Sequence, residues 1–201
     1  MTAELKRLLL DIEQCRLCEA HLPHGPRPVL QACATATLRI IGQAPGRKVH
    51  ESGVPWSDAS GKRLRAWLGL SEETFYDPAK VAIVPVGFCY PGKAASGDLP
   101  PRPECAPRWH ADLNALLPNI RLTLLVGQYA QAKYLGPRRK ASLTETVLAW
   151  KEYLPGGMLP LPHPSPRNQA WAMKHRWFEQ EMLPELREIL ARLMLAGPAQ
   201  G

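Results

Sequence analysis

Leu38-Arg39-Ile40-Ile41-Gly42-Gln43-Ala44-Pro45-Gly46 is the stretch that decides the fold. Its first four residues read as a short strand, Gly42 ends it, and Gln43 to Gly46 form a tight turn. The same grammar recurs along the chain. Val81-Ala82-Ile83-Val84-Pro85-Val86 reads as a second strand, with Pro85 near the end, where a missing ladder donor matters least. Leu122-Thr123-Leu124-Leu125-Val126-Gly127 is a third, followed by a helix over Gln128 to Leu135, and a fourth lies near Met158 to Pro160. Helical spacing fills the intervals. Residues 2–14 place Leu5, Leu8, Leu9 and Ile12 on one face. Ser60 to Leu70 reads as a helix capped by Ser60, with Leu64, Trp67 and Leu68 as its apolar face. Cys105 to Leu117 reads as a helix broken early by Pro107, and a last helix runs from about Gln169 to Leu195, kinked or broken at Pro184. Continuously apolar strands that alternate with helices imply an α/β domain with a mostly parallel sheet covered on both faces. No repeat or linker divides the chain, so a single domain over 1–201 is expected.

Three of the strands end in glycine or proline turns that carry polar residues, and these turns should meet at one rim. Open α/β sheets bind ligands at that carboxyl edge. The last turn, His163-Pro164-Ser165-Pro166-Arg167-Asn168, is the most informative. Pro162, Pro164 and Pro166 stiffen it and remove backbone donors. A histidine held on such a loop beside Ser165, Arg167 and Asn168 is suited to chemistry on a polar, anionic substrate.

The charge agrees with that reading. Across 201 residues the formal net charge is +7, which favours a polyanionic partner, nucleic acid first. No apolar run approaches the roughly 18 residues that a membrane-spanning helix needs. Met1-Thr2-Ala3-Glu4-Leu5-Lys6-Arg7 lacks the order of a signal peptide, so a cytoplasmic protein is expected. A monomer is expected as a separate matter. The five cysteines are an odd count, which argues against a disulfide framework in such a compartment. Cys15 and Cys18 form a C-x2-C pair, and Cys89 and Cys105, 16 positions apart, could complete a four-thiolate set for zinc or for an iron–sulfur cluster. Cys33, in Gln31-Ala32-Cys33-Ala34, reads as a small buried apolar residue.

Taken in order, Gly42-Gln43-Ala44-Pro45-Gly46 and His163-Pro164-Ser165-Pro166-Arg167-Asn168 resemble the two signature motifs of the uracil-DNA glycosylase superfamily. The spacing of Cys15, Cys18, Cys89 and Cys105 resembles its iron–sulfur families, family 4 in particular, and Gly53-Val54-Pro55-Trp56 resembles the segment whose aromatic ring stacks on a flipped base. The resemblance implies a three-layer α/β/α sandwich with a central four-stranded parallel sheet. It implies hydrolysis of the N-glycosidic bond of a damaged base, uracil first, after the base is extruded from DNA. His163 would donate a hydrogen bond to the departing base, and Trp56, with Gln43, Ala44 and Pro85, would line the base pocket. Arg167 and Asn168 would face the DNA, and Ser165 with the amides around Gly46 would hold phosphates. Cys15, Cys18, Cys89 and Cys105 would hold a [4Fe–4S] cluster of structural purpose, with zinc the alternative.

The chain departs from that pattern in two places. Family 4 carries Glu where Gln43 stands, so Gln43 and Ala44 offer no carboxylate. Gln43 can orient a water but cannot take its proton. Glu51 and Asp58, on the polar loop that follows, could supply the charge. Related enzymes often read the uracil edge with an Asn where Pro85 stands, and Pro85 has neither side-chain donor nor backbone N–H. Backbone groups of Val84 or Val86 could read the base instead. A rival reading is a damaged-base or single-strand DNA-binding protein that keeps the fold without efficient chemistry. A hydrolase of small nucleosides fits the charge less well. Lys93, Arg102, Arg108, Arg138, Arg139 and Lys140 are basic loop residues available to track a phosphate backbone.

Overall fold

Four strands, β1 (Leu38–Ile41), β2 (Val81–Ile83), β3 (Leu122–Val126) and β4 (Met158–Leu161), form the sheet. The computed structural model describes residues 2–195. The expected domain span of 1–201 also takes in Met1 and residues 196–201, which lie outside the described residues. Ten α-helices are described in chain order. They are α1 (Ala3–Glu13), α2 (Arg47–Ser52), α3 (Ala59–Leu68), α4 (Glu72–Tyr76), α5 (Cys105–Ala115), α6 (Gln128–Leu135), α7 (Leu143–Leu148), α8 (Trp150–Tyr153), α9 (Gln169–Lys174) and α10 (Leu183–Leu195).

The strand order is β2-β1-β3-β4 and every pairing is parallel. Leu38 is in register with Val81 on one side and Leu122 on the other, and Thr123 with Met158. Alternation along each strand explains the two covering layers. Leu38, Ile40, Val81, Ile83, Leu124, Val126, Leu159 and Leu161 pack with Leu64, Trp67 and Leu68 of α3, Phe75 of α4, and Leu186 and Leu190 of α10. Ile41, Ala82, Val84 and Leu125 pack with Leu5, Leu8 and Ile12 of α1, Trp109 and Leu113 of α5, and Ala130 of α6. This is the α/β/α sandwich. Each fully buried aliphatic side chain of these layers contributes about 1.5–3 kcal/mol. Arg39 is the exception on β1. Its guanidinium donates to Thr123 Oγ1 at 3.1 Å and to Asn114, and lies over the Tyr134 ring.

Several local expectations are corrected. Asp58, not Ser60, caps α3: its Oδ1 accepts from the Gly61 amide at 2.9 Å. Pro107 does not break α5, because it lies in the first turn, where its absent N–H has no carbonyl partner to lose. The C-terminal helix is interrupted at His175, ahead of Pro184. A π-turn over Phe178–Met182 then leads into α10, and Pro184 falls where the hydrogen-bond ladder changes spacing. The second strand ends at Ile83, two residues short of Pro85. Cys33 is only half-buried, with its Sγ 3.4 Å from Thr35 Oγ1. The loop from Arg47 to Asp58 contains α2, and α4, α7 and α8 also escape a sequence reading, because four to six residues are too few to display a helical period.

Candidate active site

The carboxyl ends of β1, β2 and β4 open into one cavity of about 340 Å³, the scale of a small-molecule site. Gln43, Ala44 and Gly46 line it from the turn after β1, Pro85 from beyond β2, His163, Ser165 and Arg167 from the turn after β4, and Trp56 from the loop between α2 and α3. The strand order reverses about β1, so the pocket lies at the switch point of the sheet. Eight of the nine residues expected at the pocket or its DNA-facing rim therefore meet in one cavity. Asn168 does not line it. Its Nδ2 donates to the His163 carbonyl at 2.9 Å and braces the turn from within.

His163 is fixed by its own loop. The Ser165 amide donates to His163 Nδ1 at 3.2 Å, so the neutral ring carries its proton on Nε2. Burial pushes the His163 pKa down, against the opposing pull of Asp58, and keeps the ring neutral. Ser165 Oγ accepts from the Arg167 amide at 3.3 Å. The result is an imidazole N–H donor whose orientation is set by bonds spanning no more than five residues.

Trp56 is nearly buried and sits 5.7 Å from His163 between ring centroids. Its backbone is left-handed, at φ 57°, a conformation costing a non-glycine residue roughly 1–3 kcal/mol. Tyr76 Oη and Arg65 Nη1 donate to the Trp56 carbonyl at 3.2 and 3.3 Å and hold it there. Two glycines make room. A β-carbon on Gly42 would lie 2.8 Å from the indole, and one on Gly61 would lie 1.7 Å from the Trp56 carbonyl oxygen. Gly42 thus does more than end a strand: it lets the indole lie against the end of β1.

The base-reading expectation for Val84 and Val86 fails on their amides. Val84 N–H donates to the Ile40 carbonyl and Val86 N–H to that of Gly42, both at 2.9 Å, so neither is free. The Pro85 carbonyl is bound as well, by His110 Nε2 at 3.1 Å, while His110 Nδ1 lies 2.7 Å from the Tyr134 hydroxyl. Burial pushes the His110 pKa down to about 4. The neutral ring then donates through Nε2 and accepts from Tyr134 through Nδ1.

Of the two acids proposed from the sequence, Glu51 is exposed and paired with Arg47 at 2.8 Å, outside the pocket. Asp58 lines the pocket while capping α3. A third acid, Asp98, also lines the pocket, and the sequence reading missed it. It arrives on a short hairpin in which Lys93 and Asp98 are bridge partners, and no local motif marks that hairpin as part of the pocket. Gln43 touches the same hairpin: its Nε2 donates to the Leu99 carbonyl at 3.0 Å.

A second, smaller cavity is lined by Cys15, Cys18, Cys89 and Cys105 together with Phe88, Trp109 and Arg102. Burial pushes the Cys89 thiol up to about 11 and the Cys105 thiol up to about 12, and the neighbouring sulfurs add to both shifts. The Phe88 amide donates to Cys105 Sγ at 3.3 Å. Among the described residues, no three His, Cys, Asp or Glu side chains stand close enough together to hold a single metal ion. Several of the basic residues proposed for the phosphate backbone are spoken for. Arg102 pairs with Glu104, Arg108 with Asp112 and Lys140 with Glu152. No described helix is long and apolar enough to cross a membrane.

The fold is a parallel α/β sandwich with a histidine turn and a buried indole lining one pocket at the carboxyl edge of its sheet. The uracil DNA glycosylase superfamily model matches residues 31–187, well over half of the chain. The chain belongs to the uracil DNA glycosylase superfamily, which places it among DNA glycosylases, hydrolases that act on DNA. The match takes in the pocket residues named above, from Gln43 to Arg167, with Cys89 and Cys105, and begins after Cys15 and Cys18.

Proposed function

We propose that this protein excises a deaminated base, uracil first, from DNA by hydrolysing its N-glycosidic bond. The observation that carries the proposal is the neutral His163 ring, with Nδ1 engaged by the Ser165 amide and Nε2–H left to donate, in a pocket walled by Trp56. The flipped base would lie against Trp56, where stacking is worth about 1–3 kcal/mol. His163 would donate to the base as it leaves with negative charge, the electrostatic aid that counts most where water is excluded. Arg167, at the exposed rim, would meet the DNA, with Ser165 and the amides about Gly46 toward phosphate. Pro85 supplies no edge donor and the neighbouring amides are engaged, so discrimination among deaminated bases would be loose.

Cys15, Cys18, Cys89 and Cys105 would hold a [4Fe–4S] cluster, for which four thiols around one apolar cavity are a fitting donor set. When bound it would supply a structural staple, joining the N-terminal segment to the loop before α5 and to the first residue of α5. A brown protein whose visible absorbance is lost in Cys89→Ala supports the cluster, and a colourless protein with stoichiometric zinc refutes it.

A binding protein without efficient chemistry is the second reading. It draws on Gln43 and Ala44, which leave the turn after β1 without a carboxylate. One assay separates the two. Oligonucleotides holding uracil, hypoxanthine or xanthine, single- and double-stranded, are incubated with the protein and then cleaved at abasic sites with alkali. Strand breaks that disappear in His163→Ala support the enzyme. Binding without breaks for every base supports the rival.

A further inference from the structure

A pocket that hydrolyses a glycosidic bond needs a group to take the proton of the attacking water, and the turn after β1 has none. Two carboxylates line the pocket. Asp58 is committed to capping α3 through Oδ1. Asp98 has no such backbone duty among the described residues. Its Oδ2 stands against Gly46, 3.4 Å from where a β-carbon on that glycine would lie.

The hairpin that carries Asp98 is held over the pocket from both sides. Leu99 N–H donates to the Gly92 carbonyl and Ala94 N–H to that of Gly97, each at 2.9 Å, with both glycines left-handed. From the β4 turn, Arg167 Nη1 lies 3.4 Å from where a β-carbon on Gly97 would be. From the β1 turn, Gln43 Nε2 donates to the Leu99 carbonyl at 3.0 Å. A carboxylate at position 43 has no proton to donate and would repel that carbonyl. The substitution that removes an acid from the β1 turn is therefore the one that ties a hairpin bearing another acid across the pocket.

We propose that Asp98 is the general base of this pocket and that Gln43 is its positioning residue. The inference rests on the glycosylase reading above. Asp98 takes a proton from water as the water oxygen bonds to C1′ of the sugar. The C1′–N bond breaks and its electron pair leaves with the base. His163 Nε2–H stabilises the resulting anion, which then takes a proton from solvent, and Asp98 returns its own proton to solvent. Burial raises the Asp98 pKa and Asp58 adds to the rise, while Tyr90, Arg167 and Lys93 act against it. A raised pKa makes the carboxylate a stronger proton acceptor.

The test is single-turnover excision against pH, with DNA affinity and a thermal melt, for wild type, Asp98→Asn, Asp98→Glu, Gln43→Ala and the Gln43→Ala/Asp98→Asn pair, with His163→Ala as reference. Asp98→Asn is expected to lower the rate by about 10²–10³-fold, within the usual range for loss of a general base. DNA affinity stays within about threefold, and the acid limb of the rate–pH profile vanishes. Asp98→Glu restores part of the rate together with the acid limb, and decides the matter if Asp98→Asn melts early. Gln43→Ala lowers the rate, and its loss does not add to that of Asp98→Asn, since the two act as one unit. Wild-type excision that persists in Asp98→Asn with the same pH profile, while His163→Ala falls, overturns Asp98 and leaves the glycosylase reading intact. Additive losses overturn the role of Gln43. Absence of excision by wild type on every base sinks both.

Discussion

The two walls of the pocket are built differently. The turn after β4 is held by bonds that span five residues or fewer: Ser165 amide to His163 Nδ1, Arg167 amide to Ser165 Oγ, and Asn168 Nδ2 to the His163 carbonyl. The rim formed by the turns after β1 and β2 is held over long distances. Gln43 reaches Leu99, 56 positions away, and Pro85 is bound by His110, 25 positions away. A locally built wall keeps its function as long as its own few residues are kept. A wall assembled from distant segments can draw an acid from elsewhere when the adjoining turn carries none, which is the role proposed for Asp98 beside Gln43.

The largest effect expected on this comparison comes from the local wall. His163→Ala should lower single-turnover excision by about 10²–10³-fold, the usual result of removing one donor aimed at developing negative charge. The melting temperature should change little, because the remaining turn bonds are backbone and Asn168 contacts. A rate within tenfold of wild type would move the chemistry to the other wall. Loss of the proposed cluster should next cost on the order of a few kcal/mol, since the cluster would close a loop of about 70 residues between Cys18 and Cys89. In Cys89→Ser this would appear as a fall in melting temperature of roughly 10 °C.

His110 braces the long-range wall, and its effect is one of pH. Its folded pKa, about 4, lies below the ordinary 6.5, so the unfolded chain binds the proton first. Its contribution is therefore fully present above pH 6.5 and is lost as pH falls toward 4. The loss is about 3 kcal/mol over that window, measurable as urea midpoints at pH 7 and 4.5, and His110→Gln should remove this part of the slope. The smallest effect concerns selectivity. Pro85→Asn should restore an edge donor and raise the preference for uracil over hypoxanthine by about tenfold, the value of roughly one hydrogen bond to a well-placed edge. An unchanged preference would show that the bound Pro85 carbonyl, rather than the missing donor, sets the base.

Much of the sheet was legible because each strand is a short apolar run closed by glycine or proline. β3 and α6 fall on the residues read from the sequence. The His163 turn was legible for the same local reason. Asp98 was not, because nothing within a few residues of it signals a pocket; the hairpin with its two left-handed glycines and the Gln43 tie bring it there. The engagement of the Val84 and Val86 amides was equally hidden, since it depends on their pairing with the segment around β1. Trp56 was legible as an aromatic. That it needs Gly42 and Gly61 beside it belongs to packing, which a sequence does not display.

The most direct test of the central claim is chromatographic release of free base from single-stranded DNA under single turnover by the wild-type protein. Release of uracil, with hypoxanthine or xanthine also released more slowly, is the expected result. Tight binding of the same oligonucleotides with no free base from any of them would contradict it.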